Sequence, residues 1–182
     1  MKVFETDLPG VLVFDPLVHG DERGYFMETY RADDFSAHGV AGPFVQDNQS
    51  SSARGVLRGL HYQISRAQGK LVRVLSGRVF DVAVDLRKSS PTCGRWAGVE
   101  LSGDNKRQLW VPPGFGHGFL VLSESAEFFY KCTDYYAPEH ERVIAWNDPD
   151  LDIAWPVTTG MTVTVSDKDR EGVAFSAAQL YP

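Results

Sequence analysis

Cysteine is scarce in this chain: Cys93 and Cys132 are the only two in 182 residues and no CxxC spacing occurs. A disulfide framework is therefore excluded, and a reducing, cytoplasmic compartment is expected. Positive charge is also short, with Lys+Arg 18 against Asp+Glu 24 and a formal net charge of -6. That balance removes the electrostatic basis for non-specific nucleic-acid binding, although a local group of Arg and Lys can still hold a small anionic ligand. Long apolar runs are missing, and Met1-Lys2-Val3-Phe4-Glu5-Thr6-Asp7 carries acids where a secretory leader needs its apolar stretch. No membrane association is expected. Hydrophobic residues at 43% and charged ones at 23% exclude a disordered chain or a coiled coil. Helix signals are few, with one short helix expected over 33–37 and another over 176–180. Without repeats, low-complexity tracts or a linker, residues 1–182 read as one domain.

What is abundant is strand character. Short runs rich in Val, Phe, Tyr and Trp recur between Gly, Pro, Asn and Asp clusters, a pattern that predicts an all-β sandwich or barrel. Strands are expected at 11–14, 25–30, 44–48, 70–75, 78–85, 97–101, 108–111, 117–122, 128–132 and 143–146. The Leu75-Ser76-Gly77-Arg78-Val79 stretch reads as a tight hairpin joining two of them. In the first of these, Lys70, Val72 and Val74 alternate with Leu71, Arg73 and Leu75, so either face buries a charge.

The densest polar cluster is Arg54-Gly55-Val56-Leu57-Arg58-Gly59-Leu60-His61-Tyr62-Gln63. On a strand, Gly59, His61 and Gln63 share a face, setting an imidazole beside an amide; His61 alone reads better as a core histidine satisfied by its neighbours. A second histidine, His117, follows the turn Pro112-Pro113-Gly114-Phe115-Gly116. Gly55 and His61 with five residues between them, and Pro112, Gly114 and His117 in order, resemble the two motifs of the cupin jelly roll, except that Gln63 stands where the second imidazole of the first motif belongs. A cupin iron or manganese site also wants a carboxylate near that motif. Here Gln68 and Lys70 follow instead, and an ammonium group repels a dication, so no metal and no cofactor are expected. His61, Lys70 and the tyrosine-rich run from Phe128 to Tyr136 offer a base, a cation and a phenol, which suits proton abstraction next to a carbonyl.

Six segments in order make the resemblance specific: Asp21-Glu22-Arg23-Gly24-Tyr25-Phe26-Met27-Glu28, Phe44-Val45-Gln46-Asp47-Asn48, Leu57-Arg58-Gly59-Leu60-His61-Tyr62-Gln63, Gln68-Gly69-Lys70-Leu71-Val72-Arg73, Phe80-Asp81-Val82-Ala83-Val84-Asp85 and Pro113-Gly114-Phe115-Gly116-His117-Gly118-Phe119. Together they resemble the dTDP-4-dehydrorhamnose 3,5-epimerases, from about Val11 to Asp169. The resemblance implies a cupin-type double-stranded β-helix with a few short peripheral helices, and cofactor-independent conversion of dTDP-4-dehydro-6-deoxy-D-glucose to dTDP-4-dehydro-L-rhamnose. It implies His61 as base, Asp169 as its partner with Asp167 as the alternative acid, Lys70 at the enolate oxygen and Tyr130 as acid. Arg23 and Arg58 would hold the diphosphate. Phe26, Glu28, Gln46, Asn48, His117, Tyr136 and Glu141 would complete the substrate site, though Arg23 also reads as a solvated turn charge, Phe26 as core and Glu141 as a surface charge. A homodimer is implied too, with the Arg23–Glu28 strand reaching the neighbouring subunit. Three other readings remain: an epimerase acting at one carbon only, a metal-dependent cupin oxygenase or isomerase, and a cupin that binds sugar nucleotides without catalysis.

Overall fold

The structure is a computed structural model describing residues 1–40 and 42–182. Its strands are β1 Lys2–Glu5, β2 Leu12–Asp15, β3 Val18–Asp21, β4 Gly24–Met27, β5 Gln46–Ala53, β6 Leu57–Gln63, β7 Lys70–Ser76, β8 Arg78–Asp85, β9 Trp96–Ser102, β10 Gln108–Val111, β11 Phe115–Val121, β12 Ser125–Cys132 and β13 Glu141–Val143. Two short helices, α1 (Ala32–Ala37) and α2 (Asp167–Arg170), sit at the periphery. One sheet runs β1-β2-β10-β7-β12-β5 and the other β13-β6-β11-β8-β9, while β3 and β4, among the described residues, pair only with each other. The strand ladders are antiparallel. The all-β jelly roll is therefore what the chain adopts, and among the described residues no helix is long and apolar enough to cross a membrane.

Alternation within strands explains why both sheets are covered on two faces. Val72 and Val74 of β7 meet Val79 and Ala83 of β8, Phe119 of β11 and Phe128 of β12 between the sheets. Leu71 points the other way, onto Phe35 of α1 and Trp110. Outside the second sheet, Val82, Val84 and Leu60 pack under Trp155, Phe175 and Tyr181 of the C-terminal segment. Phe119 and Phe128 stack across the interior with ring centroids 4.1 Å apart. Burying each such ring contributes about 1.5–3 kcal/mol.

The hairpin expected at 75–79 is not formed. β7 and β8 lie in opposite sheets, and Gly77 is the corner between them, at φ +79 and with Ser125 O only 2.0 Å from where a Cβ would stand. A corner lets one continuous apolar stretch serve both sheets. Other expectations shift, and two strands went unread. The helix at 176–180 is a 3-10 turn over Phe175–Ala177, the strand at 44–48 begins at Gln46 and runs to Ala53, and β1 and β3 carried no sequence signal strong enough to be read.

Candidate active site

A cleft of about 330 Å³ opens between the two sheets. Its second-sheet wall is built by an irregularity in β6. His117 pairs with His61, yet Phe119 pairs with Arg58, so Gly59 and Leu60 oppose the single residue Gly118. Such a bulge re-aims side chains. Here it places Arg58 and His61, three residues apart, in the same cleft. The bulge requires glycine at its centre: Gly59 has φ +129, and a Cβ there would lie 2.6 Å from Gly118 Cα.

His61 Nε2 and Asp169 Oδ1 are hydrogen-bonded. Asp169 is buried on α2, and Ser166 caps that helix by accepting from the Asp169 N–H at 3.1 Å. Burial alone would raise the Asp169 carboxyl, but the His61 hydrogen bond and charge, with Ser166, hold it below the usual carboxylate range. The alternative acid, Asp167, turns to Arg170 instead. Beside His61, His117 Nε2 donates to both oxygens of Asp81 at 2.9 and 3.1 Å. Asp81 is 0% exposed, and its only side-chain partner among the described residues is this imidazole. Two His–carboxylate pairs thus stand on neighbouring strands. Among the described residues no buried side-chain polar atom lacks a partner, and Nδ1 of neither imidazole is hydrogen-bonded, while both rings line the cleft.

The facing wall comes from the first sheet. Cys132 of β12 pairs with Lys70 of β7, which makes Tyr130, two residues earlier on β12, a diagonal neighbour of Lys70 on the same face. Facing sheets stand about 10 Å apart, which leaves room for one sugar ring between His61 and these two groups. Burial pulls the Lys70 ammonium below its ordinary value, and it makes no ion pair or hydrogen bond among the described residues. Burial also pushes the Tyr130 phenol up to about 12. Gln46 and Asn48 lie on β5 next to Tyr130, joined by a Gln46 Nε2 to Asn48 Oδ1 bond of 3.0 Å. Arg58 donates to Ser52 Oγ at 2.9 and 3.2 Å. At the rim, Glu141 accepts from the Tyr136 hydroxyl at 2.8 Å and from Lys168 Nζ at 2.9 Å. Burial opposes ionisation of Glu141, but Lys168 and Tyr136 outweigh it and keep its pKa lowered.

Ten of the thirteen expected site residues therefore meet around one cleft: His61, Lys70, Tyr130, Gln46, Asn48, Arg58, His117, Tyr136 and Glu141 line it, and Asp169 stands behind His61. Arg23, Phe26 and Glu28 do not line it. Arg23 is on the β3–β4 turn with Asp21, Phe26 is 71% exposed, and Glu28 borders a separate groove with Tyr30 and Arg31. Gln63 does not enter the cleft as a free amide, since all its donors and acceptor meet loop backbone. Lys168, Gln68 and Asp81 were not among the expected site residues. Asp81 had a readable signal: it is an acid in phase with Val79 and Ala83, the inward face of an otherwise apolar strand.

Nitrogen donors dominate the cleft, and among the described residues no cluster of three His, Cys, Asp or Glu is placed to hold a metal ion. What the geometry offers is a carboxylate-held imidazole on one wall, an ammonium and a phenol on the other, and cations near the mouth. Comparison with known proteins places the chain in a family. Residues 5–177 match the model of the family described as dTDP-4-dehydrorhamnose 3,5-epimerase. A dTDP-4-dehydrorhamnose 3,5-epimerase of Pseudomonas aeruginosa is 58% identical over 100% of both chains. The crystal structure of a Legionella pneumophila dTDP-6-deoxy-D-glucose-3,5-epimerase in complex with dTDP-4-keto-L-rhamnose superimposes with a TM-score of 0.94, at 50% identity, covering 98% of this chain and 94% of that one. A 3'-monoepimerase from Streptomyces bikiniensis is more distant, at 35% identity and TM-score 0.89 over 95% of this chain and 87% of its own. With a family model spanning nearly the whole sequence and a relative this similar end to end, the chain belongs to the dTDP-4-dehydrorhamnose 3,5-epimerase family.

Proposed function

We propose that this chain epimerises dTDP-4-dehydro-6-deoxy-D-glucose at C3 and C5, giving dTDP-4-dehydro-L-rhamnose for dTDP-rhamnose biosynthesis. The observation that carries the reading is the placement of the His61–Asp169 pair on one wall of the cleft and of Lys70 with Tyr130 on the other. A proton next to the C4 ketone is weakly acidic, so its removal needs a placed base and a cation at the ketone oxygen. His61 takes that proton through the ring nitrogen not held by Asp169. The C–H electron pair moves into the C3–C4 or C4–C5 bond, and the carbonyl pair moves onto the oxygen. Lys70 faces the resulting enolate oxygen; already poorly solvated, its ammonium gains most when negative charge develops beside it. Tyr130, still a phenol at neutral pH, then gives its proton to the carbon from the opposite face, and the carbon is inverted. Proton return from His61 to Tyr130 through solvent resets the site for the second carbon.

The donor set favours this chemistry over a metal-centred one, because both imidazoles commit Nε2 to a carboxylate and an ammonium shares their space. Arg58 suits the diphosphate, as a guanidinium does. His117, Gln46, Asn48, Tyr136 and Glu141 supply the remaining polar contacts. The exposed β3–β4 hairpin, with Tyr25, Phe26 and Val18 bare, supports a homodimer in which Arg23, Phe26 and Glu28 complete the neighbour's cleft. The test is proton NMR of the sugar nucleotide incubated with the protein in deuterated water. Loss of both the C3 and the C5 signals is expected; loss of one makes it a mono-epimerase like the Streptomyces relative, and retention of both overturns the reading.

A further inference from the structure

The segment Asp134–Ala137 links β12, which carries Tyr130, to the turn preceding β13, which carries Glu141. Among the described residues, no backbone–backbone hydrogen bond holds residues 134–136. Three glutamine side chains hold it instead. Gln68 Nε2 donates to the Asp134 carbonyl at 2.8 Å. Gln63 Nε2 donates to the Tyr135 carbonyl at 3.3 Å and to the Arg66 carbonyl at 2.7 Å, while its Oε1 accepts from the Ala137 N–H at 2.8 Å. Gln46 Oε1 accepts from the Tyr136 N–H at 2.8 Å. Gln63 is 3% exposed and Ala137 2%, so the central amide is shielded from water, and losing it would strand both an N–H and carbonyls.

We infer that Gln63 is a positioning residue for substrate binding: its amide pins the 134–137 segment and thereby sets Tyr136 and Glu141 at the mouth of the cleft. The inference rests on the epimerase reading of that cleft. Gln63 sits two residues beyond His61 on β6, so the strand that carries the base also fixes the rim. Only an uncharged group with two donors and an acceptor satisfies this position, since it faces two carbonyl oxygens and one N–H together.

Two variants test it. Gln63→Met keeps the length and apolar volume and removes every hydrogen bond. Expected are a roughly tenfold rise in KM for dTDP-4-keto-6-deoxyglucose with kcat within about twofold, and faster amide exchange at Tyr136 and Ala137. Gln63→Glu keeps the acceptor but turns a carboxylate toward the carbonyls, so its KM should fall toward the wild-type value as pH is lowered and the acid becomes a donor. It carries the test if the methionine variant does not fold. A folded Gln63→Met protein with wild-type KM and wild-type exchange overturns the inference, as does a Gln63→Glu KM without pH dependence beyond that of the wild type. Failure of the underlying reading looks different: the wild-type protein would not turn over the sugar nucleotide, while the exchange measurement would still report on the staple.

Discussion

His61 and Asp169 form one chemical unit, and removing either member has a distinct expected result. His61→Ala removes the base, and solvent deuterium should no longer enter C3 or C5, a loss of at least about 10²–10⁴ in rate. Asp169→Asn keeps the size but removes the charge that supports an imidazolium, so a smaller loss in kcat is expected with KM little changed; a wild-type kcat in Asp169→Asn would count against the pair. Asp81 stands to His117 as Asp169 does to His61. Its carboxylate is fully buried and, among the described residues, bonded only to that ring, and such a charge-assisted bond contributes about 1.5–3 kcal/mol. Asp81→Asn should lower kcat/KM by roughly tenfold to a hundredfold, and a protein that stays folded with unchanged kcat/KM would make Asp81 a structural residue only. Lys70 governs the alkaline limb. Burial lowers its pKa, so raising pH through that lowered value neutralises it and the enolate loses its cation, whereas Tyr130 stays protonated to about 12. The limb in kcat/KM should therefore fall below the ordinary lysine range of about 10.4. Lys70→Arg should move it upward, and an unmoved limb would assign it to another group.

Strand irregularities decide where those residues point. At Gly77, a Cβ would meet the Ser125 carbonyl oxygen at 2.0 Å with φ at +79, so Gly77→Ala should destabilise by at least about 2 kcal/mol, roughly 4–8 °C in Tm. Its kcat should survive in the cold, because the corner is at the end of β7 away from Lys70. Gly59→Ala carries a comparable strain but displaces Arg58 and His61 from their shared face, so both Tm and kcat should fall; a Gly59→Ala protein with full kcat would show that the bulge does not set the site. These two glycines also mark the limit of what the sequence discloses. Alternation made the apolar strands β7, β8 and β10 readable almost to the residue, and motif order brought His61, Lys70 and Tyr130 together. β5 is a run of Gln, Asp, Asn and Ser whose strand state comes from pairing with β12, not from propensity, so only its start was legible. Ser-Gly at 76–77 reads as a hairpin because local turn chemistry is the same whether the chain doubles back or changes sheet. The bulge at Gly59 is set by Gly118, distant in sequence, and no local pattern announces it. Lys168 escaped for a related reason, since it is defined by Glu141, a partner that only the fold brings near; Asp81 was legible as an acid in phase with Val79 and Ala83, but its partner His117 was not.

At the scale of the whole molecule, the β3–β4 hairpin stands apart from the cleft. Three of the expected site residues, Arg23, Phe26 and Glu28, belong to an arm whose strands, among the described residues, pair with no other strand, and Phe26 and Tyr25 are largely exposed. An isologous dimer would cover that arm and give each cleft a contribution from its neighbour. Subunit mixing separates this from a site complete within one chain. A His61→Ala protomer has an intact arm and a dead base; an Arg23→Ala protomer has an intact base and a damaged arm. In a heterodimer with arms exchanged, the cleft holding the intact His61 receives the intact Arg23, while the other cleft receives neither. After unfolding and refolding at equal amounts, about half the dimers are mixed and half of their clefts are whole, so activity should rise to about a quarter of the wild-type value. If each arm served its own cleft, or none, the mixture would show only the mean of its two parents.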